Sequence, residues 1–232
     1  MKIMNEFQEN GFAIFPVELT KDIILLQEVF ENNYLVKFSD STSTNRRIIK
    51  LFAEDPVVKS FFINNDLLQN IKELGVNYPV CCGPIVTHFT SLDSTGNGFG
   101  LNYHQDYPSM GSSINSVIVW TSLFDTTKDT HSISIIPGSH KLGVLPGVQS
   151  DNGYLVNKEY TKQAMILEVK AGNILVMSPY LVHATYINPN CKEKYKLSLS
   201  TRFDDLNDPS WKTRAYVNAY STSVDRDIYL KK

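Results

Sequence analysis

The 232-residue sequence is short of cysteine, of histidine and of any excess of one charge. Cys81, Cys82 and Cys191 are its only cysteines; so odd and sparse a set argues against a disulfide framework and fits a reducing compartment. A zinc site would need a second cluster of ligands, and there is none. On a strand, Cys81 and Cys82 face opposite sides, which makes one of them a small core residue. Net charge is -2 and the pI is near 6.2, so nothing electrostatic points to nucleic acid or an anionic membrane as partner. No apolar run approaches membrane-spanning length, and the opening MKIMNEFQENGFAIFPVEL lacks the long apolar stretch of a secretory signal. A cytoplasmic, soluble protein is the expectation. Repeats and low-complexity tracts are absent too, and nothing specifies an oligomer.

What is present is an ordinary globular composition, 42% hydrophobic and 20% charged, long enough for one well-buried core. Residues 1–78 read as a mostly helical layer. Thr20 reads as the N-cap of KDIILLQEVFENNYL, whose Ile23, Ile24, Leu26, Val29 and Phe30 recur at helical spacing. DPVVKSFFIN and NDLLQNIKELG read as two further helices, the second closed by Gly75. From Pro79 the character changes to short β-branched and aromatic runs: PIVTHFTSL, INSVIVWTSLF, HSISIIPG, AMILEVK, GNILVMSP, YLVHATYIN and YKLSLSTRF. Gly, Pro, Asn and Asp clusters separate them, the pattern of a sandwich or barrel. The expected fold is mainly β with flanking helices, a cupin-like jelly-roll core spanning 79–204, a C-terminal segment from 205 to 232, and one domain in all. VKAGNILVM is a hairpin signal around Ala171, Gly172 and Asn173. GVQSDNGYLVNKEYTKQ, Gly147 to Gln163, is long enough for a lid or binding insertion.

Chemistry concentrates in LNYHQDYPSM. In an extended segment His104 and Asp106 point to one face. His183, in YLVHATYIN, joins them if its strand neighbours theirs, and two histidines with one carboxylate form the facial ligand set of non-haem Fe(II) oxygenases. Alone the HxD tripeptide is a weak signal, because a single histidine on an apolar strand is more often a satisfied core or edge residue.

The surroundings add specificity. YHQDYPSMGSSINSVIVWTSLFD, ISIIPGSHKLGVLP, GNILVMSPYLVHATYINPN and KLSLSTRF, in that order and at similar intervals, resemble the phytanoyl-CoA dioxygenase family of Fe(II)- and 2-oxoglutarate-dependent oxygenases; FQENGFAIFP looks like its N-terminal strand. The resemblance covers nearly the whole chain. It implies His104, Asp106 and His183 as iron ligands, 2-oxoglutarate as cosubstrate, O2 as co-reactant, and no catalytic residue beyond the metal ligands. Asp at 106, where Ala or Gly would vacate a site for halide, favours hydroxylation over halogenation. The family normally places an Arg on the strand after the distal His, where its fork grips the far carboxylate of 2-oxoglutarate. Alignment of KYKLSLSTRF puts Lys196 there. Lys194 is the rival by counting from His183, and Arg202 is a third candidate. All three share one strand parity, and Arg202 lies roughly 20 Å along from Lys196 at about 3.3 Å per residue. Ser198 shares that face. Trp120 matches an aromatic that flanks the cosubstrate and reads equally as core.

Three histidines remain. His140, in PGSHKLG, reads as a structural loop residue on the barrel rim. His88, on an early strand near the mouth, reads first as packing and second as a substrate contact. His131 stands where relatives carry a small turn residue and reads as a tolerated surface histidine, with substrate contact the alternative. No CoA-phosphate cradle is visible, so the implied substrate is a small polar metabolite, hydroxylated as 2-oxoglutarate is decarboxylated to succinate. Two other readings compete: a metal-containing jelly roll that binds a sugar or small ligand without oxidising it, kept alive by Lys at 196, and a cupin-type isomerase with His88 or His131 as base.

Overall fold

Helix caps and apolar spacing organise the first third of the chain. The computed structural model describes residues 2–16, 20–91, 100–110, 113–150 and 153–209. Helix α1 (Lys2–Asn10) leads into strand β1 (Phe12–Phe15), and then come α2 (Thr20–Asn33), α3 (Thr42–Ala53), α4 (Pro56–Phe62) and α5 (Asn65–Glu73). Ser41, Asp55 and Asn64 each accept a backbone N–H of the turn they open, and Pro56 occupies a first-turn position where no donor is missed. Gly75, at φ +94°, lies just past α5, the place where a left-handed residue ends a helix at least cost. α2 stops at Asn33, short of the expected Leu35, and a 3-10 turn, Leu35–Lys37, takes over. α1 and α3 have no counterpart among the helices read from the sequence. α3 opens on Ser and Thr, which favour turns, and its stripe of Ile48, Ile49, Phe52 and Ala53 becomes evident once they are seen buried.

The strands β2 (Pro79–Cys81), β3 (Val86–Thr90), β4 (Val117–Ser122), β5 (Ser132–Ile135), β6 (Gly147–Ser150), β7 (Gly153–Val156), β8 (Met165–Ile166), β9 (Ile174–Met177), β10 (His183–Tyr186) and β11 (Lys196–Asp205) follow, with the short helix α6 (Tyr107–Met110) after β3. The larger sheet runs β1-β9-β4-β11-β2, with β3 beside β2 on the same edge of the long β11. The smaller sheet runs β10-β5-β8, and all pairings are antiparallel. This is the jelly-roll arrangement expected.

Every residue of β4 and β9 is buried, because the larger sheet is covered on both faces. Val117, Val119, Ile174, Val176, Leu197 and Leu199 meet Phe30, Phe52, Phe62 and Leu67 of the helical layer. Their strand neighbours Ile118, Trp120, Leu175 and Met177 meet Ile133 and Ile135 of the smaller sheet. Each fully buried aromatic or aliphatic side chain contributes roughly 1.5–3 kcal/mol. Cys82 joins the inner cluster while Cys81 is exposed, so the adjacent cysteines do face opposite sides.

Three local expectations are corrected. Lys170 to Asn173 does form a turn, but not a hairpin: β8 pairs with β5 in one sheet and β9 with β1 and β4 in the other. Turn chemistry is local, whereas the partner of a strand is chosen by the faces it must bury. The segment from Gly147 is no open loop: β6 and β7 form a hairpin, a 3-10 turn at Lys158–Thr161 follows, and residues 151 and 152 lie outside the described residues. The third concerns the HxD segment, which forms no regular strand; His104 makes isolated bridges to His183 on one side and Leu155 on the other. Of the expected C-terminal segment, β11 takes the beginning and residues 210–232 lie outside the described residues. No described helix is long and apolar enough to cross a membrane.

Candidate metal centre and cavity

The bridge between His104 and His183 brings the site together. Each donates its backbone N–H to the other's carbonyl, at 3.0 and 3.1 Å, so the two side chains leave bridged backbone segments side by side with ring centroids 4.3 Å apart. Asp106, two residues on, returns to the same side. His104, Asp106 and His183 each offer one ligand atom, and these atoms lie within 4.8 Å of one another; among the described residues no other His, Cys, Asp or Glu group does so. Gln105, between them, points the opposite way. Its amide donates to the carbonyls of Gly143 and Tyr180 and accepts from Leu145 N–H, which ties the HxD segment to the loop after His140.

Hydrogen bonds set which nitrogen faces the centre. His104 Nδ1 donates to Asn102 O at 2.7 Å and His183 Nδ1 to Leu181 O at 3.0 Å, so in the neutral ring Nε2 carries the lone pair that faces the centre. Asp106 Oδ1 lies 3.4 Å from His104 Nε2 and 4.0 Å from His183 Nε2. Its other oxygen, Oδ2, accepts from Arg202 Nε at 3.0 Å and Nη2 at 2.6 Å. Burial would raise the Asp106 carboxyl, but the Arg202 guanidinium bonded to Oδ2 holds it well below the usual carboxylate range. Burial, with His104 beside it, lowers His183 to about 4. Two imidazoles whose Nδ1 protons are turned away, with a carboxylate, suit a divalent metal that keeps open positions, as the ligand set of non-haem iron does.

A cavity opens from this centre between the two sheets. β11 supplies one wall: its outward residues Leu197, Leu199 and Phe203 pack on the helices, while Lys196, Ser198, Ser200 and Arg202 alternate into the cavity. Trp120 lines the cavity and is also part of the inner core, so both of its readings hold. Arg202 sits at the metal end, its Nη1 also donating to Ser200. Lys196 is only 5% exposed; its ammonium donates to Asp125 O, pairs with Glu193 and lies 5.6 Å from the Phe124 ring centroid. Lys194 lies in the preceding bend, exposed, and does not line the cavity.

His88 lines the cavity deep beside Arg202 and Ser200, with its Nε2 2.9 Å from Ser200 Oγ, and burial lowers it to about 3. His140 stays outside, as expected of a structural residue, its Nε2 donating to Gln8 O. His131 corrects the surface reading: it is 1% exposed and lines the cavity. Its turn precedes β5 with the parity of Ile133 and Ile135, which point inward, an alternation that was available in HSISII. Gln105 and Ser200 were not singled out from the sequence; the period-two polarity of KLSLSTR is the signal that marks Ser200.

Comparison with known proteins follows the same lines. A model of the phytanoyl-CoA dioxygenase (PhyH) family matches residues 26–194. The chain is 25% identical over 179 residues to a phytanoyl-CoA dioxygenase of Arabidopsis thaliana and, equally, to phytanoyl-CoA dioxygenase 1 of Oryza sativa subsp. japonica. The match takes in 75% of this chain and 62% of each relative. Among solved structures, EctD from S. alaskensis with 2-oxoglutarate and 5-hydroxyectoine superposes with a TM-score of 0.66 at 12% identity, over 88% of this chain and 76% of that one. EvdO2 from Micromonospora carbonacea var. aurantiaca gives 0.60 at 15% identity, over 93% and 96%. The α-ketoglutarate-dependent epimerase SnoN of nogalamycin biosynthesis gives 0.55 at 12% identity, over 88% and 81%. These likenesses show the fold, and the family match covers most of the chain, including His104, Asp106 and His183. The chain belongs to the phytanoyl-CoA dioxygenase family.

Proposed function

We propose that this protein is an Fe(II)- and 2-oxoglutarate-dependent dioxygenase that hydroxylates a small polar metabolite. The observation that carries this reading is the convergence of His104 Nε2, His183 Nε2 and Asp106 Oδ1 at one end of a cavity whose wall also presents a buried lysine. His104, Asp106 and His183 would hold Fe(II), which would supply the oxidising chemistry that couples decarboxylation of 2-oxoglutarate to succinate with insertion of one oxygen atom of O2 into a substrate C–H bond. Asn102 O and Leu181 O orient the two imidazoles, and Arg202 orients the carboxylate so that Oδ1 faces them. Lys196 attracts the distal carboxylate of the cosubstrate, Ser198 adds a hydroxyl on the same wall, and Trp120, Ile118 and Met177 exclude water from the reacting end. Arg202, a rival anchor by sequence, serves as a positioning residue because its Nε and Nη2 are engaged by Asp106. The hydroxyls of Thr90, Ser122, Thr126 and Ser132 around the cavity favour a polar substrate.

The isomerase reading needs a base. Burial leaves His88 very weakly basic, and the Nδ1 lone pair of His131 is taken by Asn188 N–H. The non-oxidising binding module is separated by experiment. Anaerobic titration of the Fe(II)-loaded protein with 2-oxoglutarate is expected to develop the weak visible metal-to-ligand charge-transfer band, and His183→Ala to abolish it. Iron binding without the band sinks the cosubstrate reading. Products then tell hydroxylation, a gain of one oxygen, from epimerisation, in which mass is unchanged.

A further inference from the structure

His131 is a buried donor without an acceptor. Its Nδ1 accepts the backbone N–H of Asn188 at 3.1 Å, and an amide N–H can only donate, so the ring proton resides on Nε2. That Nε2 is fully buried and finds no hydrogen-bond partner among the described residues, although the ring lines the cavity. Leaving a buried donor unmet is costly, and folding alone does not recover that cost. Lys196 lines the same cavity and acts electrostatically on the His131 ring, burial and this neighbouring charge together holding the imidazole neutral. Among the described residues two acceptors, Asp125 O and the Glu193 carboxylate, meet the three ammonium hydrogens of Lys196, which leaves one for a ligand. A lone ammonium is a point charge that binds one carboxylate oxygen well and leaves the second undirected, where a guanidinium fork would direct both. A neutral imidazole N–H from the lining of the same cavity supplies the missing direction.

We propose that His131 Nε2–H and Lys196 Nζ together clamp the distal carboxylate of 2-oxoglutarate, one oxygen each. The clamp rests on the cosubstrate reading of the cavity. It makes His131 a specificity residue: it rewards a diacid and does nothing for a 2-oxo acid of the same length that ends in a methyl group.

The test measures affinity for 2-oxoglutarate and for 2-oxopentanoate by calorimetry on Mn(II)-loaded protein, with wild type, His131→Leu and His131→Gln. His131→Leu is expected to weaken 2-oxoglutarate at least about tenfold while leaving 2-oxopentanoate within about twofold. His131→Gln, which keeps a side-chain N–H donor, is expected to recover part of the loss. Imidazole NMR of the 15N-labelled, Zn(II)-loaded wild type gives a second reading that needs no variant. One Nε2–H signal should move downfield on adding 2-oxoglutarate and stay put with 2-oxopentanoate. Equal weakening of both acids by His131→Leu would mark a structural role and overturn the clamp, as would unchanged binding of both. If wild type binds no 2-oxoglutarate at all, the functional reading fails and takes the clamp with it. If wild type binds and His131→Leu binds equally well, only the clamp fails.

Discussion

The Asp106–Arg202 pair shows how a candidate metal ligand can also be a burden to the fold. Both side chains are buried, and each is tolerable in the apoprotein because the other is there. Removing one partner of such a pair typically costs about 3–5 kcal/mol, since the other charge stays buried, whereas replacing both with apolar groups can be nearly neutral. Urea unfolding of the metal-free protein should therefore show Arg202→Met strongly destabilised and the double variant Arg202→Met/Asp106→Leu recovering much of the loss. Additive losses would mean that the pair is not coupled. At the same scale, His131 explains why residue type is a poor guide to exposure: in the sequence it follows a Thr-Lys-Asp-Thr turn and looks like surface, and only its inward parity ahead of β5 says otherwise.

Among the elements, two loops hold the HxD segment and the N-terminal strand in place. Gln105 occupies three backbone partners with one amide, and Gln105→Leu strands Leu145 N–H and two carbonyls in a buried setting. A loss of about 1–3 kcal/mol in chemical denaturation is expected; a change near zero would mean that water replaces the amide. The PGSH loop grips the turn between α1 and β1: Gly138 N–H donates to Asn10 O, and the His140 ring lies over Gly11. Gly11 has φ +81°, and a Cβ there would come within 2.4 Å of His140 Nδ1. Gly11→Ala should lower stability by about 1–3 kcal/mol, from the left-handed backbone and the displaced ring together. Combining it with His140→Ala, which removes the clash but not the backbone cost, should then cost less than the sum of the single changes. β11 is the element that links fold to site, since one face closes the helical core and the other lines the cavity.

For the molecule as a whole, the site sets the response to acid. His183 and His88 are held near 4 and 3 in the folded protein, below the ordinary histidine value, first by burial. The unfolded chain therefore takes up protons before the folded one as pH falls. Their contribution to stability is complete above about pH 6.5, is lost progressively toward pH 3–4, and changes no further below that. Asp106, held low by Arg202, loses its contribution in the same direction at still lower pH. The urea midpoint of the metal-free protein should fall between pH 6.5 and 4, and His183→Gln should flatten part of that slope; a level midpoint across this range would contradict the burial of these rings.

Much of this was legible in the chain, because it is local. Asp55-Pro56, Asn64 and Gly75 announce helix ends through backbone chemistry that involves only their neighbours. VIVWTS and ILVM announce strands buried on both faces through unbroken apolar runs. The HxD motif, the distal His and their neighbouring motifs suffice to name a family and to single out three residues that the fold brings together. What the tertiary structure decided is non-local. The turn at Ala171–Asn173 could not say that its two flanking strands belong to different sheets, since pairing is chosen by the faces that must be buried. Lys196, Lys194 and Arg202 share a parity that no counting separates; the fold separates them by starting β11 at Lys196, leaving Lys194 in an exposed bend and committing Arg202 to Asp106. The bridge that sets His104 against His183, about 80 residues apart in the chain, exists only because a jelly roll folds distant strands into one sheet edge.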